Sequence, residues 1–155
     1  RERDREDIDS VEESFEDNTH TIGIMNELII AALLHDIVED CPSWTIERVR
    51  TLFGDRVACF VDYLTKPSKV DYPKKEEREH VYHYRFNNAP RDFFSIKLSD
   101  RFHNLFTLES CPKDKQERKI KETRLHYLVF AEKHFILYHE IIEVLESLEK
   151  ERIPQ

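Results

Sequence analysis

The sequence predicts an all-α fold, a bundle of about six to eight helices. Three observations carry that prediction. Only 2 glycines and 6 prolines occur in 155 residues, too few for the tight turns of a hairpin-rich β fold. Hydrophobic residues make up 39% of the chain and recur at helical spacing, so a core can form. Charged residues reach 36%, enough to give most helices a solvated face. No convincing strand appears. The length fits a single domain, 1–155, with one core of ordinary size.

The elements follow in order. Residues 1–17 form a polar N-terminal arm, and Ile8, Val11 and Phe15 at i, i+3 and i+7 suggest a helix with a thin apolar stripe. A frayed polar arm is the plain alternative. Asn26 to Asp40 reads as a buried helix closed by Cys41-Pro42. Ser43 or Thr45 caps the next helix, 45–53, which Gly54 ends. Asp55 to Leu64 is a short helix, and Lys66 to Lys75, with two prolines, is a loop. Residues 76–88 form a polar helix stopped by Ala89-Pro90. Asp92 to Leu108 is a helix, followed by a break at Cys111-Pro112. Lys115 to Lys150 is one long helix, or two with a bend near Lys133.

The net charge of −8 repels nucleic acid and anionic lipid, so neither is expected as a partner. It also repels phosphorylated substrates, so any phosphate chemistry here needs a cation. Three scattered cysteines (Cys41, Cys59, Cys111) fit no disulfide framework and suit a reducing compartment. The apolar run Leu28 to Leu34 is too short to span a membrane, and the charged first residues resemble no signal peptide. A soluble cytoplasmic protein is expected. The sequence does not define an oligomeric state.

Placed on one helix at about 100° per residue, His35, Asp36, Glu39 and Asp40 fall within an arc of roughly 140°. Ile30, Leu33, Leu34, Ile37 and Val38 take the opposite side. An imidazole and three carboxylates this close repel one another or raise their own pKa values unless a cation intervenes. Such a donor set suits manganese, iron or zinc better than calcium, with Glu39 and Asp40 one turn on to hold and deprotonate water. The alternative is the solvated end of an amphipathic helix.

A second stripe lies on Asp92–Leu108. Lys97, Asp100, Asn104 and Thr107 share one face, while Phe94, Leu98, Phe102, Leu105 and Leu108 cover much of the rest. A helix this apolar should be buried, so its polar stripe should line something polar. Asp100 would supply a further oxygen ligand opposite His35 and Asp36. Lys97, Asn104 and Thr107 would face substrate. His80, His83, His103, His126, His134 and His139 lack an accompanying carboxylate signature and are assigned surface or packing roles. Trp44 is read as a helix-entry staple.

The stretches AALLHDIVED and KLSDRFHNLFTL together resemble the hydrolase domain of the alarmone (ppGpp) synthetase/hydrolase family, the RelA/SpoT-like branch of the HD superfamily. Gly54 to Lys66, Lys119 to Thr123 and Tyr127 to Ala131 are similar to its following helices, so the resemblance covers roughly His20 to Ala131. With no synthetase segment before Gln155, the resemblance is to small hydrolase-only members. It implies a manganese-dependent enzyme, other divalent metals being possible, that removes the 3′-pyrophosphate from the nucleotide (p)ppGpp. Carried over by residue, His20, His35, Asp36 and Asp100 match metal ligands. Glu39 and Asp40 match the pair that activates or positions water. Lys97, Asn104 and Thr107 match substrate contacts.

Two departures stand out. His20, in Thr19-His20-Thr21-Ile22-Gly23, precedes His35 by only 15 positions, closer than in relatives. That spacing predicts residues missing between Met25 and Asn26. The family's Arg-Lys pair before the first histidine is also absent, Glu12, Glu13, Glu16 and Asp17 standing there, which leaves guanine recognition open. The rival readings are an HD phosphohydrolase acting on another nucleotide (a nucleotide monophosphate or NADPH) and a non-catalytic nucleotide-binding module.

Overall fold

The computed structural model describes residues 21–150, and no strand occurs among them. The chain divides into two compact units, Arg1–Thr65 and Lys66–Gln155.

In the first unit, helix α1 runs from residue 21 through residue 33, a turn occupies residues 34–36, and α2 (Ile37–Asp40) follows. The single helix expected over Asn26–Asp40 is therefore two pieces. The turn is tightened by i→i−3 bonds, from Ile37 N–H to the Leu34 carbonyl and from Glu39 N–H to the Asp36 carbonyl. Helix α1 passes through Met25 and Asn26 without interruption. Nor is α1 a buried helix. Ala31 is buried, but Ile22, Met25, Ile29 and Leu33 are exposed, Leu33 at 79%. By length and composition Thr21–Asp40 reaches the range of a membrane-crossing helix, more than the run Leu28–Leu34 suggests. The turn at 34–36 interrupts it.

Helix α3 (Ile46–Phe53) starts where the sequence places a cap: the Thr45 hydroxyl accepts from Arg48 N–H at 3.2 Å. Gly54, at φ +88°, ends α3 and opens α4 (Asp55–Leu64) directly. Val49 of α3 packs with Val57, Ala58, Phe60, Val61 and Leu64 of α4 in a small apolar core. The Arg56 guanidinium of α4 reaches Glu27 of α1 at 3.4 Å.

The second unit carries the larger core. Helix α5 (Lys75–Arg85) tightens into a 3₁₀ turn at Phe86–Asn88, and Pro90 precedes α6 (Arg91–Phe106). A 3₁₀ turn at Leu108–Ser110 leads to α7 (Lys113–His126), α8 (Leu128–His134) and α9 (Tyr138–Lys150). The long helix expected from Lys115 to Lys150, even with one bend, is thus three. The second break falls at Phe135 and Leu137, both left-handed at φ 57° and 52°. In a chain with two glycines, ordinary residues take these positions. Phe86 centres the core, with Tyr82, Phe93, Phe94, Tyr127 and Phe130 ringed around it at centroid distances of 5.1–6.2 Å. Leu98, Leu105, Ile141 and Leu145 complete it. This aromatic packing fixes α6, and α6 carries the second polar stripe.

Candidate functional site

The residues singled out by sequence form two half-sites, one in each unit. In the first, His35 and Asp36 occupy the turn between α1 and α2. Asp36 adopts φ −104°, ψ 0°, a bridge conformation frequent at functional positions. His35 Nδ1 donates to the Ala32 carbonyl at 2.8 Å. A carbonyl can only accept, so Nδ1 carries the proton and Nε2 is turned outward. Nε2 lies 2.8 Å from Asp36 Oδ2. That is the length of an ordinary hydrogen bond, and it also suits two neighbouring ligands of one ion.

The pair fits a metal. Ligands in adjacent positions, each about 2.1 Å from an ion, lie about 3 Å apart. An imidazole whose far N–H is pinned to a backbone carbonyl is the usual oriented ligand. His35 is about one-third exposed and Asp36 about half exposed, so both are open to an incoming ion. Glu39 and Asp40, exposed on α2, follow within one turn. Two donors do not complete a coordination shell. Among the described residues no group of three or more His, Cys, Asp or Glu side chains is placed to hold a metal ion. His20, the expected first ligand, lies outside the described residues. Its chain neighbour Thr21 sits about 18 Å along α1 from Leu33, at 1.5 Å per residue.

The second half-site is built on α6. Asp100 accepts from Lys97 Nζ at Oδ2 (3.2 Å) and from Asn104 Nδ2 at Oδ1 (2.7 Å). The helix ends at Thr107, whose hydroxyl donates to the Asn104 carbonyl at 3.3 Å. Asn104 and Thr107 are exposed. Lys97 is not: only 7% of it is accessible, and its ammonium lies 5.5 Å from the centre of the Tyr82 ring. Burial by itself would lower its pKa. The oxygens of Tyr82 and Tyr127 and the Asp100 carboxylate outweigh burial and keep it charged. Lys97 therefore meets Asp100 first, and reaches a ligand only by leaving or sharing it.

Behind this stripe lies a network that the sequence did not reveal. The Glu122 carboxylate on α7 takes both Arg101 terminal nitrogens (3.1 and 3.3 Å) and Lys119 Nζ at 2.9 Å. His83 Nε2 on α5 lies 3.3 Å from Glu122 Oε1. Burial alone would raise the Glu122 pKa, but His83, Arg101 and Lys119 hold it well below the ordinary carboxylate range. Arg101, 5% accessible, lies over the Tyr127 ring at 3.9 Å. His83 stacks on His126 with centroids 4.0 Å apart and planes 7° from parallel. Packing roles for His83 and His126 agree with expectation, but the approach of His83 to Glu122 is new. Lys119 and Glu122 had only a family resemblance to mark them. Their i, i+3 spacing looks like a solvated pair.

An HD domain model matches residues 15–136. The chain belongs to the HD-domain family, and that family implies a divalent metal. It is similar to the guanosine-3′,5′-bis(diphosphate) 3′-pyrophosphohydrolase of Haemophilus influenzae, 38% identical over 127 residues, 79% of this chain and 18% of that protein. The protein of the same name from Aquifex aeolicus is 39% identical over 112 residues, covering 71% of this chain and 16% of the relative. A GTP pyrophosphokinase of Streptomyces coelicolor is 33% identical over 150 residues, 86% of this chain and 18% of the relative. The chain spans less than a fifth of the length of these curated relatives. No solved structure matches it.

Proposed function

We propose that this chain is a metal-dependent phosphohydrolase that removes the 3′-pyrophosphate from the guanosine nucleotide (p)ppGpp. The observation that carries the reading is the His35–Asp36 pair, with Nδ1 pinned and Nε2 2.8 Å from Oδ2, followed within a turn by Glu39 and Asp40. The relatives named as guanosine-3′,5′-bis(diphosphate) 3′-pyrophosphohydrolases suggest the substrate. His35, Asp36 and Asp100 are the proposed metal ligands, with His20 as the fourth by resemblance. Manganese is the proposed ion. When bound, it supplies positive charge to the phosphoryl oxygens.

The chain's own groups do the rest. Glu39 takes the proton of the attacking water, and Asp40 orients that water toward phosphorus. The bond from phosphorus to the 3′-oxygen breaks, the 3′-oxygen gains a proton, and pyrophosphate departs. Asn104 and Thr107, exposed at the end of α6, contact the phosphates, with Lys97 supplying charge from beneath. A single catalytic domain and a cytoplasmic setting belong to the same reading. Exposed free Cys41 and Cys59 are consistent with a reducing compartment.

The test is pyrophosphate release from ppGpp in the presence of manganese. Asp36→Ala should abolish it. Glu39→Gln should leave the metal bound and slow turnover by about 10²–10⁴-fold. Unchanged turnover in both variants rejects the assignment. One observation favours a second reading, hydrolysis of a different nucleotide: no Arg-Lys pair stands near Glu12–Asp17. A panel with NADPH and nucleotide monophosphates separates the two.

A further inference from the structure

Lys97 and Arg101 are one turn apart on α6, and both are buried, at 7% and 5% accessible. Like charges at i, i+4 repel, and each buried cation needs its own anion. The structure divides the anions between them. Asp100, on α6 itself, serves Lys97. Glu122 reaches across from α7 and takes both terminal nitrogens of Arg101. Lys119 donates to the Glu122 carboxylate at 2.9 Å, and His83 Nε2 lies 3.3 Å from its other oxygen. The His83 ring is held flat against His126, so this contact ties α5 to α7.

We propose that Glu122 is a positioning residue for the α6 half-site: by neutralising Arg101 it holds Asp100 in place beside Lys97 and Asn104 and limits the positive charge an incoming divalent cation meets there. This rests on the reading that Asp100 is a metal ligand. Glu122 touches neither substrate nor metal in this account. Its effect passes through Arg101. Without its carboxylate, a buried guanidinium is left one residue from Asp100 and one turn from Lys97. The field at the stripe becomes more positive by one charge, and Asp100 is the nearest anion on α6.

The variant Glu122→Gln keeps the size of the side chain and removes its charge. It should weaken manganese binding, measured by calorimetric titration, about tenfold or more. Adding Arg101→Met removes the uncompensated cation, so the double variant should recover affinity close to wild type although the whole ion pair is gone. Arg101→Met alone should bind manganese at least as tightly as wild type, and this variant judges the idea if Glu122→Gln does not fold. A purely architectural ion pair predicts the opposite, with the double variant no better than the single one. That pattern, or wild-type affinity in Glu122→Gln, overturns the proposal.

A readout without metal separates this idea from the proposed function. The Asn104 side-chain amide donates to Asp100, so its ¹⁵N resonance should shift in Glu122→Gln and return in the double variant. An unmoved resonance overturns the positioning role. Wild-type protein that takes up no manganese overturns the metal assignment instead.

Discussion

The two half-sites are built on opposite principles. In the first unit His35 and Asp36 stand in a short turn, partly exposed, and His35 is aimed by a hydrogen bond to the Ala32 carbonyl. In the second unit Asp100 sits on a long helix pinned by an aromatic core, and the charges around it are braced from three helices. A locally aimed pair is cheap to build and can adjust to an ion. A cross-braced stripe is rigid and depends on residues far away in sequence.

That contrast can be tested from the side of stability. Phe94 is 2% exposed and stacks on Phe130 at 4.8 Å and on His134 at 4.5 Å. Phe94→Ala should cost about 3–5 kcal/mol in denaturant unfolding, and it should loosen Asp100 as well. Val49→Ala, in the smaller core of the first unit, removes fewer atoms and should cost less. Equal losses would mean that the two cores are not so different.

Acid should separate the regions further, with a smaller effect. His126 has its pKa lowered by burial first and by the stacked His83 second, with Glu122 opposing. A histidine whose folded pKa is depressed stabilises the protein above its unfolded value, about 6.5, and that stability is lost as pH falls through the folded value. Glu122, whose pKa is depressed much further below the ordinary carboxylate range, follows the same sign in a more acidic window. Its contribution is present above about pH 4.3 and is lost below it. Thermal midpoints should therefore fall in two stages on acidification, the first beginning near pH 6.5. His126→Gln should shrink the first stage, to which His134, its pKa also lowered by burial, contributes the rest. A midpoint indifferent to pH between 7 and 5 would show that His126 does not titrate with folding.

Much of this architecture was legible in the sequence because its signals are local. Thr45 and Gly54 mark the ends of α3 through a cap and a positive φ, each needing only its neighbours. The polar stripe on α6 follows from spacing alone, and Asp100 does join Lys97 and Asn104 there. What was not legible depends on distant partners or small backbone departures. A turn of three residues at 34–36 leaves the hydrophobic pattern of α1 and α2 intact, so periodicity reads them as one helix. Phe135 and Leu137 take left-handed conformations that their side chains do not announce. Arg101 meets Glu122 across 21 positions of sequence, and nothing near either residue points to the other. Lys97 was expected at the surface of a cleft, yet the aromatic residues that bury it lie on other helices.

The central proposal is that His35, Asp36 and Asp100 are ligands of a divalent ion. A crystal grown with manganese, examined for anomalous scattering, tests it most directly. The account predicts one strong peak about 2.0–2.3 Å from His35 Nε2 and from carboxylate oxygens of Asp36 and Asp100. A fully occupied ion bound to one of these half-sites and remote from the other would contradict it.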